Sequence, residues 1–263
     1  MATYLDAILE HHRGRAAADR RPLGELAERA EAAGPVRPFA HALTGSGRLA
    51  VIGEIKRRSP SKGDLAIDLD PAGLARRYAA GGAAALSVLT DGPHFGGSVA
   101  DLVAARAAVD LPVIRKDFTV SVRDVYDARI MGADCVLLIV AALSDDELAT
   151  FDSVAAGLGL DRLVETHDEA EVERALAHTA GRLIGVNQRD LVTFEVDQDR
   201  AVRVAAAIPE GSVKVAESGV RGRADAEALA GAGYDAVLVG EHLVTSGDPS
   251  SALKSLRVPT PGG

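Results

Sequence analysis

The sequence predicts an α/β fold, a single (β/α)8 TIM barrel that follows an N-terminal helical extension. From residue 49 onward, short apolar runs alternate with longer amphipathic runs eight times, the count of a closed barrel. Hydrophobic residues make up 47% of the chain but aromatic residues only 3%, so small aliphatic side chains must form the core. Such a core suits helices packed on a parallel sheet. Several apolar runs also end in ionisable residues, as strands that carry a barrel active site do.

The N-terminal region, residues 3 to about 33, is predicted to be helical. Its apolar residues recur at helical spacing: Leu5, Ile8, Leu9, Leu23, Leu26 and Ala30. Pro35 and Pro38 end this region. We therefore expect an extension over 1–48, packed on a catalytic barrel over 49–257, and a frayed C-terminal tail over 258–263.

Each predicted strand is one of the apolar runs. In order they are LAVIGEIK, AALSVLTD, PVIRKDF, CVLLIVA, RLVETH, LIGVNQRD, VKVAESG and AVLVGEHL. The predicted helices between and after them are 71–82, 98–109, 121–132, 144–159, 168–179, 197–209, 222–233 and 250–256. Several open with Ser, Asp or Pro and close near Gly, as helices do. A doubly wound open sheet is the alternative, but the G-x-G-x-x-G turn expected after its first strand is absent.

Charged side chains gather at the predicted carboxyl ends of the strands, where barrel active sites lie. Side chains alternate across a strand, so Ile52, Glu54 and Lys56 share one face. By the same parity, the residues expected to face inward at the strand ends are Glu54, Lys56, Lys116, Phe118, Glu165, Asn187, Arg189 and Glu217. A purely structural ion-pair network is the alternative. Desolvation makes buried ion pairs poor stabilisers, so this many charges at one end favours chemistry.

The ends of the seventh and eighth strands are the usual phosphate site of this architecture. They read Ser218-Gly219 and Gly240-Glu241, whose backbone N–H groups can bind an anion. Only the backbone of Glu241 should face a phosphate. The loop RRSPSKG can close over the other side through Ser59 and Lys62.

Other function classes lack their signatures. The net charge of −9 argues against nucleic-acid binding, and no segment has the roughly 20 apolar residues of a membrane span. The N-terminus lacks a signal-peptide apolar region, so we expect a cytoplasmic protein. The seven histidines form no metal motif, so no metal site is predicted. His94 and His167 could each lie at the edge of the pocket, but we interpret both as exposed loop residues. The single cysteine, Cys135, is expected to be buried and excludes a disulfide framework.

Eight segments carry a resemblance to a known family. They are EIKRRSPSKG, LSVLTDGPHFGGS, RKDF, GADCVLLIV, LVETH, GVNQRDL, VKVAESG and VLVGE. In this order, from Leu49 to Leu243, the chain resembles the indole-3-glycerol phosphate synthases of tryptophan biosynthesis. The helical extension is also similar to the one that caps the barrel in that family.

The resemblance implies a reaction and a set of roles. The substrate, 1-(2-carboxyphenylamino)-1-deoxyribulose 5-phosphate, closes to an indole with loss of CO2 and water, without a cofactor or metal. Lys116 matches the general acid, Glu165 the general base and Lys56 an assisting group. The implied catalytic group is completed by Glu54, Asn187, Glu217 and Ser218. The implied substrate-binding residues are Ser59, Phe95, Phe118, Leu137 and Arg189, and the implied phosphate-binding residues are Ser218, Gly219, Gly240 and Glu241.

Two other functions stay open at this point. A phosphoribosylanthranilate isomerase would need a Cys/Asp acid–base pair, and Cys135 lies in mid-strand. A non-catalytic barrel in a multienzyme complex should have lost strand-end ionisable residues, and none is missing. The expected partner is a small phosphorylated anthranilate–sugar molecule. The chain is expected to act as a monomer, although the sequence leaves an oligomer open.

Overall fold

Eight parallel strands close into a barrel in the computed structural model, which describes residues 4–60, 62–190, 192 and 195–261. The strands are β1 (Ala50–Ile55), β2 (Ala85–Leu89), β3 (Val113–Lys116), β4 (Cys135–Ile139), β5 (Asp161–Thr166), β6 (Leu183–Asn187), β7 (Val213–Glu217) and β8 (Ala236–Val239). Each strand pairs with the next in the chain, and β8 pairs with β1. The predicted barrel is therefore confirmed, and the open doubly wound sheet is wrong.

Helices precede the barrel and connect its strands. They are α1 (Tyr4–Ala18), α2 (Leu23–Glu31), α3 (Phe39–Ala42), α4 (Pro71–Gly81), α5 (Gly92–Phe95), α6 (Val99–Ala108), α7 (Val122–Ile130), α8 (Asp145–Gly157), α9 (Glu169–His178), α10 (Arg200–Val204), α11 (Arg223–Gly231), α12 (Glu241–Val244) and α13 (Pro249–Leu256). The predicted caps are present: Asp70 accepts a hydrogen bond at the start of α4, and Ser144 forms a capping box with Glu147 at the start of α8.

The predicted helix 197–209 is shorter in the structure. Only α10 is α-helical, and a 3-10 turn follows at Ala205–Ala207. Ile208 is extended because it precedes Pro209, whose ring disfavours a helical residue before it.

The N-terminal region also differs from the prediction of one helical stretch. Pro22 separates α1 from α2 and takes an extended conformation, with φ −61° and ψ 131°. A proline inside a helix lacks the N–H of the helical ladder and clashes with the preceding turn, so the chain breaks there. Arg21 bridges Asp19 and Asp127, which ties this break to α7.

The barrel wall packs tightly against its helices at Gly53 in β1. A side chain at this position would overlap the ring of Tyr78, which lies in α4 and is fully buried. The hydroxyl of Tyr78 donates a hydrogen bond to the carbonyl of Glu54 at 3.0 Å. Gly53 therefore faces the helices, and Glu54 faces the barrel interior, as the alternation predicts.

The first residues of the expected tail, 258 and 259, contact the start of the barrel. Val258 is 1% exposed, and its carbonyl accepts a hydrogen bond from the backbone of Leu49 at 2.8 Å. Pro259 forms a bridge with Arg48. Within the described residues, every helix is too short or too polar to traverse a lipid bilayer.

Candidate active site

A cavity of about 530 Å³ opens at the carboxyl ends of the strands. Every residue that the sequence analysis placed in the site lines it: Glu54, Lys56, Ser59, Phe95, Lys116, Phe118, Leu137, Glu165, Asn187, Arg189, Glu217, Ser218, Gly219, Gly240 and Glu241. They come from strand ends and loops distributed along nearly the whole barrel. The structure thus brings the whole predicted set to one place.

The centre of the cavity is a cluster of one lysine and two carboxylates. Nζ of Lys116, at the end of β3, donates a 2.6 Å hydrogen bond to Oε2 of Glu165 and lies 3.1 Å from Oε2 of Glu217. Asn187 donates a hydrogen bond to the other oxygen of Glu165 at 3.1 Å. Strand register explains the convergence, because Asn187 of β6 is paired directly with Glu217 of β7.

The cluster sets the charge of two of its members. Burial would lower the pKa of Lys116, but the carboxylates of Glu165 and Glu217 outweigh this effect and raise it well above its usual value. Burial would raise the pKa of Glu165, but the ammonium of Lys116 outweighs it and lowers that pKa to about 2. At neutral pH Lys116 can therefore give a proton, and Glu165 can take one.

The pKa of Glu217 is shifted in the opposite direction to that of Glu165. Its side chain is almost completely buried, and this burial, reinforced by the neighbouring charge of Glu165, raises its pKa to about 8 despite the attraction of Lys116. Two carboxylates that share one ammonium do not ionise equally. We infer that Glu217 is the protonated member of the pair at neutral pH.

This protonation has a consequence for stability. Glu217 has a higher pKa in the folded chain than its reference value of 4.5, so its contribution is complete below that reference and is lost as pH rises towards about 8. Glu217→Gln cannot ionise and should escape this loss. We expect its Tm relative to that of the wild type to rise by at least about 2 °C between about pH 5 and about pH 8. Thermal unfolding at both pH values measures it, and a constant difference would contradict the assignment.

A second ion pair lies beside the first. Nζ of Lys56 is 2.6 Å from Oε1 of Glu54, both at the end of β1. Gly240, after β8, makes room for this pair, because a side chain there would overlap the Glu54 carboxylate and approach Nζ of Lys56 to 3.2 Å. The cavity therefore holds two separate ammonium groups, each neutralised by its own carboxylate.

Gly185 in β6 makes room for Glu217 in the same way. A methyl group at this position would overlap Oε1 of Glu217 and lie 3.2 Å from Leu163. We expect Gly185→Ala to displace the carboxyl, lower kcat by about tenfold and destabilise the fold by about 1–3 kcal/mol.

The matched control is Gly14→Ala in α1, where nothing lies within 4 Å of the added methyl group. That change should leave kcat unaltered and stabilise the helix by about 0.5–1 kcal/mol. Urea unfolding and steady-state kinetics measure both variants. Equal effects of the two substitutions would contradict the packing argument.

The loop after β7 has an unusual backbone. Ser218 and Gly219 both have positive φ, 65° and 76°, and Ser218 is the only described non-glycine residue with this conformation. Gln188 donates to the carbonyl of Ser218 at 2.8 Å, and Gln198 donates to that of Gly219 at 2.6 Å. The carbonyls are thus held by side chains, and within the described residues the two amides donate no backbone hydrogen bond. Strain of this kind concentrates at ligand sites.

The opposite wall of the cavity is apolar. The rings of Phe95 and Phe118 lie 6.4 Å apart, and Leu137 of β4 is 2% exposed. Helix α1 was expected only to pack on the barrel, but its Leu5 and Ile8 also line the cavity. Helical periodicity shows which face of α1 is apolar, not what that face covers.

A cluster of two histidines and one aspartate was not foreseen. Asp91, at the end of the second predicted run, lies 2.8 Å from Nε2 of His12 and 2.9 Å from Nδ1 of His94. Burial would raise the pKa of Asp91, but hydrogen bonds from both rings hold it below its usual range. These bonds satisfy the three groups, and they join α1 to the barrel. The side chains of His94 and His167 are 19% and 12% exposed, so the interpretation of both as exposed loop residues is wrong.

Comparisons with known proteins identify the family of the chain. The family model described as indole-3-glycerol phosphate synthase matches residues 5–256. Indole-3-glycerol phosphate synthase 1 of Streptomyces coelicolor is 55% identical over 234 residues, which cover 89% of this chain and 86% of the relative. The enzyme of the same name from Mycolicibacterium gilvum is 52% identical over 257 residues, 97% of this chain and 94% of the relative.

Solved structures support the fold. A 3-hexulose-6-phosphate synthase superposes with a TM-score of 0.62 at 16% identity, covering 79% of this chain and 98% of that one. A thiamine phosphate pyrophosphorylase from Pyrococcus furiosus gives 0.59 at 16% identity, covering 83% and 96%. At such low identity these likenesses show the barrel architecture alone.

Proposed function

We propose a mechanism for this cavity that starts from the family of the protein. The chain belongs to the indole-3-glycerol phosphate synthase family. The enzyme is a carboxy-lyase of tryptophan biosynthesis that converts 1-(2-carboxyphenylamino)-1-deoxyribulose 5-phosphate to indole-3-glycerol phosphate. In our proposal Lys116 is the general acid, Glu165 is the general base and Lys56 assists. The observation that carries it is the contact of Lys116 with two buried carboxylates, at 2.6 and 3.1 Å.

Ring closure needs a proton at the substrate carbonyl. The ring carbon that bears the carboxylate attacks this carbonyl. The carbonyl oxygen then becomes negative, and a positioned acid can neutralise it by giving a proton. Lys116 fits this role because neighbouring carboxylates keep it protonated. Departure of CO2 then returns the bonding pair to the ring and restores its aromaticity.

Dehydration needs a base and an acid. Glu165 fits the base because it is ionised and fixed by Lys116 and Asn187. It removes a proton from the carbon next to the nitrogen, while the hydroxyl leaves as water after it receives a proton. Lys56 lines the same cavity and can donate this proton or hold the substrate carboxylate.

A dual role for Lys56 predicts a dual defect. We expect Lys56→Ala to lower kcat by about 100-fold and to raise KM by about tenfold, because the variant loses a proton donor and a charge that binds the anionic substrate. Steady-state kinetics separate the two parameters. The surface variant Lys254→Ala should change neither. A Lys56→Ala enzyme with an unaltered KM would remove the binding role.

The phosphate group should bind at the edge formed by the loops after β7 and β8. Its ligands in our proposal are the amides of Ser218, Gly219, Gly240 and Glu241, together with the hydroxyl of Ser59. The side chain of Glu241 lies 3.7 Å from Nζ of Lys62, so its charge is directed at that lysine. The substrate ring would then lie near Phe95, Phe118, Leu137 and Arg189.

A continuous fluorescence assay of indole formation tests the activity with the purified chain. Product should appear without added metal or cofactor, and no product would contradict the proposal. No observation favours the two alternatives. Cys135 is completely buried in β4, so it cannot be the acid of an isomerase, and every strand-end ionisable residue that catalysis needs is present.

We also propose a cytoplasmic monomer. One chain supplies every residue that lines the cavity, so no second copy is needed to complete it. The substrate is a charged phosphate ester that cannot cross a membrane unaided, so the enzyme should share a compartment with the enzyme that makes it. Sedimentation velocity measures the mass of the active species, and an active dimer without active monomer would contradict this proposal.

A further inference from the structure

A buried nitrogen beside the catalytic cavity has no hydrogen-bond partner within the described part of the chain: Nε2 of His167. His167 directly follows β5, and its Nε2 lies 3.8 Å from Oε1 of Glu165. Its other nitrogen, Nδ1, is 3.0 Å from Oε2 of Glu171, which also accepts the backbone N–H of His167. The ring is thus fixed at one edge and directed at the proposed base by the other.

The surroundings of the ring favour its protonated form. Burial would lower the pKa of His167, but the hydrogen bond to Glu171 and the charge of Glu165 outweigh burial and the opposing charge of Arg200, so this pKa is raised. These charged groups lie on α9, β5 and α10 respectively. Nδ1 donates to Glu171, so a proton on Nε2 faces the Glu165 carboxylate.

His167 also lines a second cavity, of about 330 Å³. Glu165 lines the catalytic cavity and His167 lines the second one, so the imidazole contacts the second cavity and faces the proposed base. The second cavity carries charged side chains from α9 and α10 and from the loop that precedes α10, among them Glu171, Asp190 and Arg200. It is therefore a polar space on the far side of the base.

The reaction consumes a proton. The substrate carboxylate carries one negative charge and leaves as neutral CO2, while the phosphate keeps its charge. The carbonyl oxygen and the departing hydroxyl each gain a proton, and only one proton is lost from carbon. One proton per turnover must therefore reach the site to restore its starting protonation state, and a path other than the substrate-filled mouth lets it arrive before the product leaves.

We propose that His167 is a positioning residue and proton relay, which carries this proton from the second cavity to Glu165 and through it to Lys116. The three groups follow one another: Nε2 of His167 faces Oε1 of Glu165 at 3.8 Å, and Oε2 of Glu165 accepts a hydrogen bond from Lys116 at 2.6 Å. A movement of the imidazole ring by about 1 Å would bring the first pair within hydrogen-bond distance. In each transfer an N–H or O–H bond breaks as another forms, with no change of oxidation state. The inference rests on the proposed roles of Glu165 and Lys116.

Two variants separate the relay from simple support of the fold. His167→Gln can still donate a hydrogen bond towards Glu165 but cannot gain and lose a proton. We expect it to lower kcat by about 10- to 100-fold and to change KM by less than about twofold. His167→Ala leaves a space beside the second cavity that free imidazole can fill. Added imidazole should therefore raise the kcat of this variant by at least about tenfold, in proportion to the imidazolium concentration.

The outcomes distinguish this inference from the proposed function. An inactive wild type, or a Glu165→Gln enzyme as active as the wild type, would overturn the underlying roles. The relay itself is tested if the wild type is active and Glu165→Gln is impaired. A His167→Gln enzyme with wild-type kcat would then show that protons enter through the cavity mouth, and would overturn the relay. Loss of kcat in His167→Ala without imidazole rescue also overturns it. If His167→Ala does not fold, the kcat and KM of His167→Gln decide.

Discussion

Lys116→Ala should lower kcat by about 1,000-fold or more. The change removes the proposed proton donor for ring closure. It also removes the ammonium beside Glu165, the ionised member of the carboxylate pair, so Glu165 should take up a proton more readily and be less available as a base. Two steps of the reaction therefore depend on one nitrogen atom.

The continuous fluorescence assay measures this effect, with Lys254→Ala in α13 as the matched control. Lys254 is exposed, and the same substitution there should leave kcat unaltered. Circular dichroism should first establish that Lys116→Ala is folded, because removal of one partner from a buried ion pair can cost about 3–5 kcal/mol. Turnover by a folded Lys116→Ala enzyme near the wild-type rate would refute its role as the acid.

Glu165→Gln should lower kcat by about 100- to 10,000-fold. The amide has nearly the shape of the carboxylate but cannot take a proton from carbon. Its single carbonyl oxygen can still accept the hydrogen bond from Lys116, but its NH2 group cannot accept the second one, from Asn187. Because the contact with Lys116 is kept, KM should change by only a few-fold. The matched control is Glu169→Gln in the first turn of α9, where the side chain is exposed. A large rise in KM with kcat preserved would show that Glu165 binds substrate rather than moving a proton.

Local sequence patterns were sufficient for most of the fold. Each barrel strand is an apolar run of a few residues, and several helices begin at a cap that can be identified without tertiary information, such as Ser144 with Glu147. Alternation along β1 correctly separated Glu54, in the cavity, from Gly53, which faces Tyr78. The break at Pro22 was also visible in the sequence, but the apolar spacing on both sides of it favoured one continuous region.

The pairing within the site could not be predicted, because it depends on contacts between distant segments. Sequence placed two lysines and three carboxylates at one end of the barrel, but not the pairing of Lys116 with Glu165 and of Lys56 with Glu54. That pairing follows from strand register and from the glycines at 185 and 240, which leave room for the carboxylates. The raised pKa of Glu217 likewise follows from the burial that this arrangement produces.

Contacts of the N-terminal region were missed for a similar reason. Leu5 and Ile8 have the spacing of an ordinary packing face, and His12 lies 79 positions from its partner Asp91. No local pattern identifies such a partner. Burial of His167 was also missed, because a histidine after a strand is usually exposed, and only the tertiary structure shows Glu171 and Glu165 on its two sides.

A crystal structure with indole-3-glycerol phosphate bound tests most directly whether the distant charged side chains act on one small molecule. We expect the indole ring beside Phe118 and Leu137, with Nζ of Lys116 and the carboxylate of Glu165 facing the newly formed ring. The phosphate should accept hydrogen bonds from the amides of Gly219 and Gly240. A product bound with its phosphate at Lys116, or held outside this cavity, would contradict the assignment of the site.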